Sequence, residues 1–266
     1  MHGLSILLLC HADRAEFEQA RTVIEAWGAV LEFAEVGSAV EALADGRIVP
    51  DVIVVAQAFP GQYSHQAIDR LRRLAPLARV VGMMGSWCEG EMRTGSPWQG
   101  VVRTYWHQWT ARGGRQLRRL TQGRLCSWTL PPTATEEERL LADTAEVWPP
   151  RQGLVVIHAR SNETTQWLTA VCRMRGFATV WQRPRGVARI NGATAAIFDG
   201  TDLSEDECDD LHHLAATLHP TPVIALLAFP RIDDHRRAVS AGAAAVLSKP
   251  LLVDDLFWEL ERCGRQ

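Results

Sequence analysis

The chain is predicted to fold as two α/β domains in tandem, each a doubly wound parallel sheet, and three observations predict it. From Thr221 to Pro250 an apolar run (Pro222 to Leu227), an acid-led polar segment (Asp233 to Val239) and a second apolar run (Ala243 to Leu247) follow one another with short joints. Strand, helix and strand at that spacing form the βαβ unit of a parallel sheet. Val52 to Val55 is a continuous β-branched run, which suits a strand buried on both faces. Finally, the beginning repeats. Gly153-Leu154 through His158-Ala159 parallels Gly3-Leu4 through His11-Ala12, and each copy continues into a polar helix closing at a glycine, Gly28 or Gly176. A period of about 150 residues means two related domains, because solenoid repeats run roughly 20–50. The expected division is 1–129, a linker at 130–152, and 153–266.

Each element has its own reason. Leu4 to Cys10 reads as a buried strand. Asp13 and Glu16 have capping-box spacing, and Phe17, Ala20, Ile24 and Trp27 recur at helical intervals before Gly28, a candidate C′ residue. Val30 to Phe33 is strand two, and Ser38 with Glu41 opens a short helix ending near Gly46. After strand three, Phe59-Pro60-Gly61 turns the chain into a helix over 64–74, and Val80 to Met84 is strand four. A long glycine-punctuated loop, 85–100, precedes a strand at Val101 to Trp106 and a short helix at Arg115 to Leu120. Pro131-Pro132 and Pro149-Pro150 bracket a connecting helix with its own capping box, Thr135 and Glu138.

Composition narrows the function. With 266 residues, 47% of them apolar, the chain can bury a full core in each half. A net charge of −3 names neither a nucleic-acid nor a membrane partner. The early apolar run lacks the features of a signal peptide and is too short to span a bilayer. Six scattered cysteines with no Cys-x-x-Cys pair point to reduced thiols, a cytoplasmic setting and no structural zinc.

The second copy resembles the receiver domain of bacterial two-component response regulators. Ala195-Ala196-Ile197-Phe198-Asp199 is similar to that family's third strand, which ends in a phosphoacceptor aspartate. Pro222 to Ala228 is similar to its fourth strand, and Ala241-Gly242-Ala243 through Ser248-Lys249-Pro250 to its closing signature. The first copy carries the resemblance as pattern, with Pro50-Asp51-Val52 through Phe59-Pro60-Gly61 at the spacing of strand three and its loop. The resemblance implies five parallel strands per domain in the flavodoxin-like order.

The departures bear on function. Receivers bind Mg²⁺ through an acid pair at the end of strand one; the resemblance places His11-Ala12 there in one copy and His158-Ala159 in the other. The phosphoacceptor position is Ala56 in the first copy, and the phosphate-sensing hydroxyl is replaced by Met84 and Leu227. Phosphoryl transfer depends on a metal that neutralises developing charge, and too few oxygen ligands remain for it. Asp199 and Lys249 survive together and read as a buried ion pair, structurally satisfied and chemically idle. The expectation is a tandem pseudo-receiver: no enzyme, no cofactor, no metal, acting through a protein partner or as a homodimer. One alternative is a regulator phosphorylated on Asp199. Another is a small-ligand or enzyme site at the strand ends near His11 or His158.

Two further constellations stand out. Cys208, His212 and His213 with Asp206, Asp209 and Asp210 imitate a metal cluster, but read more simply as an acid-rich first helical turn that suits the helix dipole. The stretch Met92 to Thr135 holds no Asp or Glu and seven arginines, and four of the ten tryptophans lie between Trp87 and Trp109. Arginine and tryptophan are enriched at binding hot spots. Trp98, Arg103, Tyr105, Trp106 and Trp109 are therefore expected to share one contiguous surface, partly buried at a domain or subunit junction. An internal reading stands beside it, in which the tryptophans seal the first domain and the arginines face acids such as Glu136 to Glu138 or Glu205 to Asp210. Single-stranded nucleic acid, which arginines beside stackable rings also suit, trails because of the net charge.

Overall fold

The computed structural model describes residues 3–11, 13–144, 147–183, 186 and 190–264. The chain forms two compact units, Met1–Ala145 and Glu146–Gln266. In the first, β1 (Leu4–Leu9), β2 (Gly28–Phe33), β3 (Val52–Gln57), β4 (Arg79–Met84) and β5 (Val102–Tyr105) make one parallel sheet in the order β2-β1-β3-β4-β5. In the second, β6 (Leu154–His158), β7 (Ala178–Gln182), β8 (Ala193–Asp199), β9 (Val223–Ala228) and β10 (Ala243–Lys249) pair as β7-β6-β8-β9-β10. Both are the flavodoxin-like 2-1-3-4-5 winding, whose crevice opens at the carboxyl ends of the strands. β3 is buried along its whole length, as an unbroken β-branched run requires.

Helices alternate with the strands. The first unit holds α1 (Glu18–Glu25), α2 (Val36–Ala44), α3 (His65–Leu74), α4 (Glu91–Thr94), α5 (Trp106–Gln108), α6 (Gly114–Thr121) and α7 (Glu136–Thr144). The second holds α8 (Asn162–Met174), α9 (Glu205–Leu218), α10 (Ile232–Ser240) and α11 (Val253–Cys263). Serine hydroxyls cap three of them: Ser64 on α3, Ser161 on α8 and Ser204 on α9 each accept from main-chain N–H groups of the first turn. The capping box at α7 forms as its spacing predicts, Thr135 N–H reaching Glu138 at 2.8 Å and Glu138 N–H reaching Thr135 Oγ1 at 3.2 Å.

Several local expectations change. The Asp13–Glu16 box does not form: Ala15–Phe17 is a 3₁₀ turn, and Glu16 reaches across to Ser86. α2 begins at Val36, so Ser38 lies inside it. Gly28 is no helix cap but the first residue of β2, where a Cβ would lie 2.0 Å from the Leu4 carbonyl oxygen. Residues 130–144 also belong to the first unit, not to a linker. Arg139 donates to the Ser127 and Pro131 carbonyls, and Asp143 accepts from Gln116 Nε2 and the Ser127 N–H. Arg139 and Asp143 are buried, so these bonds anchor α7 to the chain before it. Among the described residues no helix is long and apolar enough to cross a membrane.

Candidate functional site

In the second unit the strand ends gather the residues that the sequence singles out. Asp199 closes β8 and Lys249 closes β10. Lys249 Nζ donates to Asp199 Oδ1 at 2.7 Å and to the Gly200 carbonyl at 2.6 Å. His158 is the last residue of β6, and its ring stacks on Phe198 with centroids 5.1 Å apart. Burial lowers its pKa, because the protonated ring would lose water, while Asp210 opposes that shift. Ala159 is buried, and its carbonyl accepts from Trp181 Nε1 at 3.0 Å. Leu227 is fully buried at the end of β9, facing Gly200 so closely that a Cβ there would lie 2.9 Å from its Cδ2.

Two residues that the sequence reading missed complete this site. Glu207, on the first turn of α9 and 2% exposed, accepts from the N–H groups of Thr201 and Leu203 and from the Thr201 hydroxyl. It thereby ties down the loop that follows Asp199. Arg160, one residue beyond Ala159, sets its guanidinium 3.7 Å from Glu207 and 3.7 Å from Asp210. The acids are matched by the protein's own cations. The signal was present, since Arg160 adjoins the altered acid pair and Glu207 stands in the acidic turn, but only the fold brings them together.

Mg²⁺, which the receiver resemblance implies, does not fit this donor set. A hard cation of that size takes oxygen ligands in near-octahedral array. Here the end of β6 offers an imidazole and a methyl group, the one strand-end carboxylate is held by Lys249, and the nearby acids face Arg160. Among the described residues no group of three or more His, Cys, Asp or Glu is placed to hold a metal, the Cys208–His212 turn included.

The first unit fills the same place differently. Ala56 and Met84 are buried and bring no charge or hydroxyl to the strand ends. His11 lies two residues past the end of β1, whereas His158 is still inside β6. In register, the residue opposite Val55, which precedes Ala56, is Leu9, and the residue opposite Phe198, which precedes Asp199, is His158. The two histidines therefore do not occupy equivalent positions. Ala12 lies outside the described residues. Glu16 instead accepts from the Ser86 N–H and hydroxyl, at 3.0 and 3.1 Å, and Trp106 Nε1 donates to the same Ser86 Oγ at 2.9 Å. Beside this chain, Gln57 Nε2 reaches both Glu91 carboxylate oxygens at 3.3 and 3.4 Å, and Arg103 closes on Glu91 in a short ion pair. Cys88 donates to the Gln57 carbonyl, and burial pushes its thiol up to about 11, which keeps it protonated and unreactive.

The expected tryptophan–arginine surface is not found. Trp109 is completely buried against Trp128, with ring centroids 5.5 Å apart. Trp98 belongs to the core cluster that includes Ile53, Val55 and Met84, and donates to the Tyr63 carbonyl. Trp106 is 4% exposed and bound to Ser86. Trp98, Arg103 and Tyr105 do border one groove of about 430 Å³, with Glu136 and Arg139 on its rim, but Trp106 and Trp109 have no part in it. Counter-charge comes from just outside the acid-free stretch, Glu91 serving Arg103, while Arg119 uses the Ala142 carbonyl. Packing explains this composition.

No protein-family profile matches the chain, and no curated protein is similar to it in sequence. Similar solved structures are receiver domains. The Francisella response regulator 1452 receiver domain is 18% identical with a TM-score of 0.38, covering 42% of this chain and 97% of its own. A response regulator from Thermotoga maritima is 18% identical with a TM-score of 0.37, covering 45% and 100%. A CheY-like receiver domain protein from Methanospirillum hungatei JF-1 is 15% identical with a TM-score of 0.38, covering 43% and 95%. The class is set by the topology itself: two receiver-like, flavodoxin-like α/β units in tandem.

Proposed function

We propose that this protein is a tandem pseudo-receiver that serves signalling by recognising other proteins, without aspartyl phosphorylation in either unit. One observation carries the reading: Asp199 is held by Lys249 while His158, Ala159 and Leu227 stand where metal ligands and a phosphate-sensing hydroxyl would be needed. Without the metal, charge developing on a transferring phosphoryl group has no counter-ion beyond one lysine. In the first unit Ala56 offers no acceptor at all. Binding, and not turnover, is what such a pair of folds can supply. The test is incubation of the full chain with Mg²⁺ and acetyl phosphate, followed by intact-mass measurement. The expected result is an unchanged mass; a stoichiometric phosphoryl increment that disappears in Asp199→Ala would establish a phosphorylated regulator instead.

A further inference from the structure

We infer that the outer face of α8 joins two copies of this chain, antiparallel and related by a two-fold axis. α8 buries Thr165, Leu168, Val171 and Cys172 against its own sheet, as an amphipathic helix should. Its exposed face carries an apolar stripe set among the polar side chains of Asn162, Glu163, Gln166 and Arg173. Trp167 is 43% exposed and Met174 76%, and between them Ala170 is exposed too. Positions i, i+3 and i+7 lie along one stripe of a helix, the spacing by which one helix seats on another. Aromatic residues and methionine are enriched at interfaces, and tryptophan is among the commonest hot-spot anchors.

The charges choose the occupant. α8 carries Glu163 in its first turn and Arg173 in its last, both exposed, and among the described residues neither side chain has an ion pair. A second α8 laid antiparallel, centred between Trp167 and Ala170, sets each Trp167 over the partner copy's Ala170. The small side chain lets the helices approach, and the indole fills the space above it. The same arrangement places each Glu163 beside the partner copy's Arg173, twice by symmetry, and opposes the two helix dipoles. A parallel arrangement would stack like charges instead. The patch is thus complementary to itself, the requirement of an isologous interface.

Sedimentation equilibrium of the full chain across the micromolar range tests this. Wild type is expected to self-associate to a dimer, and Trp167→Glu to weaken association by about thirtyfold or more, the scale of a lost hot spot. Circular dichroism of that variant should match wild type, since the side chain is not in the core. Glu163→Arg and Arg173→Glu should each weaken the dimer by about two- to fivefold, as exposed pairs do, and the double variant should recover it. Recovery is the readout that a merely apolar contact would not give. A wild type that stays monomeric, a dimer untouched by Trp167→Glu, or a charge swap without recovery would each overturn the inference.

Discussion

The carboxyl ends of the two sheets can be compared residue by residue, because the strand order is the same in both. In the second unit the crevice keeps a charged pair that solvent reaches, the Lys249 and Asp199 side chains being 28% and 13% exposed. In the first unit the corresponding space is plugged. Ala56 and Met84 are apolar, Ser86 bridges Glu16 to Trp106, and Glu91 lies between Gln57 and Arg103, with the Glu91 and Arg103 side chains 5% and 11% exposed. The same winding thus presents a solvent-reached Asp–Lys pair at one set of strand ends and a buried network of polar side chains at the other. An ion pair that water reaches contributes little, whereas a buried one is costly to break. The surviving Asp–Lys pair is therefore the less important of the two for stability, although it resembles an active site more closely.

The largest expected effect tests that ranking. Glu91→Ala strands the Arg103 guanidinium in a largely dry site and removes an acceptor from Gln57, so the first unit should lose about 3–5 kcal/mol. Asp199→Ala should cost the second unit about 1 kcal/mol or less, since Lys249 can turn to water. Hydrogen exchange of β3 and β4 in one variant and of β8 and β9 in the other would report each unit separately. Equal losses would break the comparison. A second measurement addresses the buried ring of the first unit: Trp109→Ala should open a cavity against Trp128 and cost about 3–5 kcal/mol. It should leave self-association unchanged, whereas Trp167→Glu should do the reverse.

How far the sequence carried can be judged at particular residues. Strands were legible because parallel-sheet interiors need unbroken apolar runs, and β3, β9 and β10 fall within a residue or two of their expected ends. Asp199 and Lys249 were legible as a pair because the fold fixes where β8 and β10 stop. Glu207, Arg160, Glu16 and Glu91 were not, since each acts across a loop whose path no periodicity records. Gly28 misled for a related reason: a glycine after a helix suggests a cap, but here the neighbouring Leu4 main chain excludes a side chain. The tryptophans misled through composition. Clustered Trp and Arg favour a binding surface on statistics alone, yet a ring buries the same apolar area in a core.

The smallest expected effect separates the units by pH. Burial lowers the pKa of His158 from its ordinary 6.5, and burial followed by the charge of Arg236 does the same for His235; both histidines belong to the second unit. A depressed folded-state pKa means that the unfolded chain binds the proton first. The stabilising contribution is therefore complete above 6.5 and is lost as pH falls through the lower, folded-state values. Glu259, also in the second unit, is raised by burial, so its contribution runs the other way, growing as the pH falls from its raised folded-state value toward 4.5 and complete below that. The fall just below 6.5 should then come from the two histidines, with Glu259 acting against it as the pH drops further. Hydrogen exchange of β8 and β9, followed from pH 7.5 downward and corrected for the intrinsic rate, should show protection falling just below 6.5. His158→Phe keeps the stacking on Phe198 but removes the titration, so it should flatten part of that fall, and His235→Phe combined with it should flatten most. A slope unchanged in the double variant would assign the pH dependence to other groups.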